Sequence, residues 1–271
     1  MSTILDKILA DKAIEVAERK QLVPIPELEN TPAFSRKCLS MKQSLLASDS
    51  GIIAEFKRKS PSLGWIHEDA DVVKVTSEYS VAGASGISIL TDQHYFGGSP
   101  KDILEARSCI TCPVLRKDFI IEEYQLYEAK AMGADVILLI AAALSGKQTF
   151  ELARKAHELG LEVLLEVHNA DEIRHANDCV DMLGVNNRNL KTFEQSIQVS
   201  YDLANLIPDH FVKVSESGIS KVETVKELRK VGYRGFLMGE NFMKEADPAE
   251  ALSLFIKTLK KNKQYNFYKS K

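Results

Sequence analysis

A (β/α)8 barrel of the TIM type, with extra helices ahead of its first strand, is the fold this sequence predicts. Three observations predict it. Eight short apolar stretches of strand length alternate with helical stretches: Ile52–Lys57, Gly86–Leu90, Val114–Lys117, Val136–Ala141, Glu162–Val167, Met182–Asn186, Phe211–Ser215 and Phe236–Gly239. The chain has 271 residues and is 45% hydrophobic, which suits one barrel of about 250 residues. No glycine-rich dinucleotide turn follows the first strand, which argues against an open doubly wound sheet.

The elements follow in order. Leu5, Ile8, Leu9, Ala13 and Val16 recur at helical spacing, so residues 3–19 read as a helix. Residues 21–32 carry three prolines and no period, and read as a connector. A second short helix is expected over 34–46. Residues 1–48 then form a leader packed beside or over the first strand, within a single domain spanning 1–271. Between the strands, capping signals mark the helices. Ser99-Pro100 opens one, Ser220-Lys221-Val222-Glu223 has the form of a capping box, and Asp247-Pro248-Ala249-Glu250 resembles one. Gly133 and Gly160 stand where helices should end. The Lys-rich tail, residues 260–271, reads as a solvated helix end and frayed terminus.

Composition excludes several classes of function. A net charge of −3 gives no reason to expect a nucleic-acid partner. The longest apolar run, Val136 to Leu144, falls short of the roughly 20 residues that cross a membrane. The N-terminus lacks the basic-then-apolar order of a secretory signal. Four cysteines fit a reducing cytoplasm better than a disulfide framework, and the C-x-x-C spacing of Cys109 and Cys112 has no second pair or suitably placed histidine to make a metal site.

Chemistry in such barrels sits at the C-terminal ends of the strands. Strand parity puts Ile53, Glu55 and Lys57 on one face and Ala54 and Phe56 on the other. An acid and a base on one buried face are costly unless paired or used. A solvated strand end would explain that pair alone, but the device recurs. Parity joins Lys117 to Leu115, and Glu166 lies among Leu164, Leu165 and Val167. The sixth strand runs into Asn186-Asn187-Arg188, groups suited to hydroxyls and anions. Ser217-Gly218 and Gly239-Glu240 follow the last two strands, where glycine lets backbone N–H groups approach a phosphate. Tyr95 and Phe96, beside Gly97-Gly98, suit either a wall for a planar ligand or a packed loop.

Together these segments resemble indole-3-glycerol-phosphate synthase. The resemblance rests on Glu55-Phe56-Lys57-Arg58-Lys59-Ser60-Pro61-Ser62, Leu90-Thr91-Asp92 with Phe96-Gly97-Gly98-Ser99, Leu115-Arg116-Lys117-Asp118-Phe119, Leu165-Glu166-Val167-His168, Asn186-Asn187-Arg188-Asn189-Leu190, Ser215-Glu216-Ser217-Gly218-Ile219 and Met238-Gly239-Glu240. Arg116 ahead of Lys117, and Glu240-Asn241 in place of smaller residues, depart from that pattern. The resemblance implies conversion of 1-(2-carboxyphenylamino)-1-deoxyribulose 5-phosphate to indole-3-glycerol phosphate in tryptophan biosynthesis. It makes Lys117 the acid on the ketone, Glu166 the base, and Lys57 a second cation that holds an anionic group or serves as the dehydration acid. Glu55, Asn186 and Glu216 are expected on the sugar hydroxyls, and Arg188 on the carboxylate. Ser60, Ser217, Gly218, Gly239 and Glu240 are expected around the phosphate, and Phe96, Phe119 and Leu190 around the aryl ring. The chemistry asks for no cofactor or metal, and the partners expected are the phosphorylated substrate and other tryptophan-pathway enzymes. A phosphosugar isomerase, a Schiff-base aldolase or a non-catalytic barrel are the alternatives.

Overall fold

The computed structural model describes residues 3–190 and 192–269. Eight parallel strands close into a barrel: β1 Ile52–Phe56, β2 Gly86–Leu90, β3 Val114–Lys117, β4 Val136–Ile140, β5 Glu162–Val167, β6 Met182–Asn186, β7 Val212–Glu216 and β8 Tyr233–Met238. β8 hydrogen-bonds to β1 and closes the ring. All eight expected strands form. β8 starts earlier than its apolar run, because a register shift between Tyr233 and Gly235 admits the exposed Arg234.

Strand parity sorts the side chains as expected. Ile53, Leu115, Val136, Leu138, Leu164, Val214 and Leu237 fill the barrel. Ile52, Ala54, Phe56, Ile87 and Ile89 point outward into the layer shared with the helices. Lys57 lies one residue past β1. The loop after it folds into a hairpin in which Lys59–Ser60 pairs with Gly64–Trp65, and this brings Ser60 over the barrel mouth.

The leader differs from its sequence reading in two places. Helix α1 spans Ile4–Leu22, capped by Thr3 in a box with Asp6. The expected connector holds a short helix, α2 Ile25–Glu29, because its prolines fall at the N-cap and in the first turn, where no N–H is needed. The second helix, α3 Met41–Ala47, is shorter than 34–46. Ser40 caps it, and residues 36–39 serve instead to hold Asp135. Met41 and Leu45 then plug the N-terminal end of the barrel. A side chain at Gly86 would collide with the Met41 thioether, so β2 carries glycine there.

Ser99 and Asp247 cap their helices as expected, accepting from the N–H groups of Lys101 and Glu250. Gly133 and Gly160 take up left-handed conformations just past helix ends. The capping box at Ser220 does not form. Its helix begins at Val222 with Lys221 as an N-cap that makes no side-chain bond. A positive-φ turn at Ser217 and Gly218 delivers the chain one residue late, leaving Ser220 upstream of the cap. The last helix runs Pro248–Lys269, while residues 270 and 271 of the tail lie outside the described residues. No described helix is long and apolar enough to cross a membrane.

Candidate active site

A cavity of about 350 Å³ opens at the C-terminal ends of the strands, and every candidate site residue lines it. Its floor is a layer of charge. Lys117 Nζ lies 3.3 Å from Glu166 Oε2 and 3.6 Å from Glu216 Oε2. Lys57 donates to Glu55 at 2.8 Å, and Glu55 also lies 3.5 Å from the Ser88 hydroxyl. Two cations therefore face three carboxylates contributed by alternate strands of the ring, β1, β3, β5 and β7.

Neighbouring backbone makes room for two of these acids. A Cβ at Gly239 on the β8 side would meet Glu55, and a Cβ at Gly184 on β6 would meet Glu216 Oε1. Each acid thus folds inward over a glycine of the adjacent strand. Gly239 serves this close approach as well as the turn that follows it.

The three acids stand in different electrostatic states. Burial pulls Lys117 down, but Glu166, Glu216 and Glu55 outweigh it and keep the ammonium charged well above the usual lysine range. Burial opposes ionisation of Glu166, yet Lys117, His168 and Asn186 hold it below the usual carboxylate range. Burial of Glu55 is likewise overcome, chiefly by Lys57 and Lys117. Glu216 goes the other way. Burial, with repulsion from Glu166 and Glu55, outweighs Lys117 and pushes its carboxyl up to about 8. Among the described residues neither of its oxygens has a hydrogen-bond partner.

His168, quoted above only as part of a motif, stands behind Glu166. Its Nε2 is 3.3 Å from Glu166 Oε1 and its Nδ1 is 3.1 Å from Glu172. Burial lowers its proton affinity, but the two carboxylates raise it to about 10, so it is a cation at neutral pH.

The tandem amides divide their work. Asn186 faces the cavity. Asn187 is structural: its NH2 donates to Ser215, to the Glu216 carbonyl and to the Ser217 carbonyl, and its oxygen accepts from Ser200. Arg188 donates to the Ser62 hydroxyl at 2.7 Å and pairs with Glu240 at 3.3 Å, joining the loops after β1, β6 and β8. Arg116 points out of the barrel, fully buried between Asp118 and Glu128.

Above the charged floor, Phe96 and Phe119 tilt together with centroids 6.1 Å apart. Leu190 lines the same mouth, and so do Leu5 and Ile8 of α1. The leader's contribution was not foreseen, since helical periodicity gives a buried face without saying what it covers. Phe193, Gln195 and Lys244 also reach the cavity unannounced. Among the described residues no group of three His, Cys, Asp or Glu side chains could hold a metal. Cys109 and Cys112 are free thiols away from the cavity.

The model of the indole-3-glycerol phosphate synthase family matches residues 5–255. The chain belongs to that family. Its relatives include the indole-3-glycerol phosphate synthases of Bacteroides thetaiotaomicron, 53% identical over 96% of this chain and 100% of the relative, and of Polynucleobacter asymbioticus, 43% identical over 93% and 98%. Like them, the chain is an enzyme of tryptophan biosynthesis, and it acts on a phosphorylated small molecule. Two solved structures share the barrel at low identity: a native KDPGal protein (TM-score 0.57, 15% identity, 79% of this chain and 96% of that one) and a tryptophan synthase from Pyrococcus furiosus (0.56, 17%, 78% and 97%). These show the fold.

Proposed function

We propose that this chain is a carbon–carbon lyase of the carboxy-lyase class that turns 1-(2-carboxyphenylamino)-1-deoxyribulose 5-phosphate into indole-3-glycerol phosphate. One observation carries the reading. Lys117, kept charged by the acids around it, chiefly Glu166, sits on the cavity floor between an aromatic slot and the turns at Ser217-Gly218 and Gly239-Glu240.

The aryl ring enters among Phe96, Phe119 and Leu190, and its carboxylate meets Arg188. The phosphate meets Ser60, Ser217, Gly218 and the N–H groups following Gly239, with Lys244 close by. The ring carbon bearing the carboxylate attacks the ketone. A carbon–carbon bond forms, and the carbonyl oxygen takes the proton of Lys117. The bond to the carboxylate then breaks, and its electron pair restores the aromatic ring as CO2 leaves. Finally a proton departs from the carbon next to nitrogen and the hydroxyl leaves as water.

The charges order these steps. Glu166 is ionised at the outset, the form a base needs, but its proton affinity is low while Lys117 is charged. Once Lys117 has given up its proton, one of the two cations beside Glu166 is gone, His168 being the other, and Glu166 becomes a stronger base for the dehydration. Lys57, oriented by Glu55, donates to the leaving hydroxyl. Asn186 and Glu216 hold the sugar hydroxyls. A Schiff-base route asks for a neutral amine, which the environment of Lys117 opposes.

No electron transfer occurs and no step asks for a Lewis acid, so turnover is expected to survive EDTA. We also propose a cytoplasmic location, consistent with four free thiols. The chain acts as one barrel domain with residues 1–48 as its leader, and other tryptophan-pathway enzymes are its natural partners. The test is incubation with the carboxyphenylamino-deoxyribulose phosphate while indole absorbance is followed. Absorbance growing with CO2 release supports the reading. No turnover, or substrate trapped on Lys117 by borohydride, overturns it.

A further inference from the structure

The buried face of α1 carries a lysine in the middle of an apolar stripe: Ile8, Lys12 and Val16 recur at every fourth residue, and all are buried. Lys12 is 1% exposed. Its ammonium lies 3.0 Å from Asp92, 3.0 Å from Asp118 and 2.7 Å from Glu15. Asp92 follows β2, and Asp118 follows Lys117 at the end of β3. A charge sealed on a helix face costs more than an apolar residue of the same size would, so its position asks for a use.

Asp118 has other supports. Thr91 and Arg116 donate to one of its oxygens, and the Phe119 N–H donates to the other. The end of β3 is therefore fixed without Lys12. This stretch of the leader has one tie beside Lys12 to the segment after β2, the Tyr95 hydroxyl donating to Asp11. Lys12 joins the stretch to the rims of β2 and β3, one turn beyond the Ile8 that lines the cavity.

We infer that Lys12 is a positioning residue for the reaction: it locks the leader helix onto the ends of β2 and β3 and so holds Leu5 and Ile8 over the slot that takes the aryl ring. It touches no reacting atom. This inference rests on the aryl-slot reading of the cavity. Its effect falls on substrate binding, because the wall it positions contacts the ring alike in the ground and transition states.

The test is a double-mutant cycle on steady-state kinetics with the carboxyphenylamino-deoxyribulose phosphate. Lys12→Met is expected to raise KM about 10-fold and change kcat less than about 3-fold. Ile8→Ala is expected to raise KM in the wild-type background but add little to Lys12→Met, since the wall is already loose. Lys12→Arg should recover part of the loss. Asp92→Asn keeps an oxygen for the Tyr95 N–H it accepts from, weakens the lock without emptying it, and should raise KM in the same direction by a smaller factor. Asp92→Asn also serves if Lys12→Met does not fold. Hydrogen exchange of the α1 amides without substrate should rise in Lys12→Met, independently of what the enzyme turns over. An unchanged KM in the folded variants, or a full additional effect of Ile8→Ala on Lys12→Met, overturns the inference. Faster exchange in the variant of a wild type that shows no turnover would sink the functional reading and leave the lock standing.

Discussion

Asp135 and Glu216 are both carboxylates sealed from solvent, at opposite ends of one barrel, and they are treated differently. Asp135, just before β4 at the N-terminal end, uses both oxygens fully. One accepts from Arg36 and the Leu39 N–H at 2.7 Å each, the other from Arg107 and the Val114 N–H at 2.8 Å each. Glu216, at the C-terminal end, has Lys117 3.6 Å away and, among the described residues, no hydrogen bond on either oxygen. An acid that is fully bonded is structure, tying the leader to the barrel floor. A buried acid left unbonded carries a desolvation cost that folding does not recover. Bonding by a bound substrate would recover it.

The largest test of this contrast is on the C-terminal side. Lys117→Met should lower kcat by about 10³-fold, within the range ascribed to a positioned acid and charge stabiliser. The fold should persist, because the acids that lose their cation can take up protons. Glu216 already does so near neutral pH. Near-normal turnover of a folded Lys117→Met would remove this lysine from the mechanism.

At the other end the effects reverse. Asp135→Ala takes the carboxylate from Arg36 and Arg107, which keep only backbone carbonyls, and leaves the Leu39 and Val114 N–H groups without this acceptor. Breaking such a buried network should cost about 3–5 kcal/mol of stability. The kcat per folded molecule should stay within about 2-fold of wild type, since nothing at Asp135 reaches the cavity. A large loss of kcat in the remaining folded protein would mean that the two ends are coupled.

Glu216→Gln sharpens the comparison through pH. The folded protein holds the Glu216 proton up to about 8, above the ordinary 4.5. As pH rises from 4.5 toward 8 the unfolded chain ionises first, so this group draws stability down across that window. Below 4.5 both states are protonated and the cost vanishes. Glu216→Gln should therefore melt higher than wild type at pH 8, by a few degrees (on the order of 2 kcal/mol), and equal it near pH 4. It should bind substrate more weakly. A variant that is less stable at pH 8 would show that Glu216 contributes to the fold as Asp135 does.

The same contrast explains what the sequence could tell. Strand ends at Glu55, Lys57, Lys117 and Glu166 were readable because strand parity is local, and an acid or base at a core-facing position announces itself. Glycine turns at Ser217-Gly218 and Gly239-Glu240 were readable for the same reason. Relations between distant elements were not. Nothing in the period of α1 says that Ile8 covers the cavity or that Lys12 meets Asp92 and Asp118, 80 and more residues along. Gly184 gives no hint that Glu216 lies over it. Arg36 and Leu39 sit inside what reads as a helix, and only the demand of Asp135 for donors explains why they do not join it.

The smallest effect separates a cap that forms from one that is merely spelled out. Asp247 accepts from the Glu250 N–H at 2.9 Å and fills the N-cap role, so Asp247→Ala should cost about 1 kcal/mol. Ser220 has the residue pattern of a capping box, but its helix starts one position later and its hydroxyl caps nothing. Ser220→Ala should cost less than about 0.3 kcal/mol in denaturant melts, below the usual capping range. Equal losses in the two variants would place the helix start back at the residue that sequence alone selects. They would also argue that the positive-φ turn at Ser217-Gly218 does not set where the chain re-enters a helix after β7.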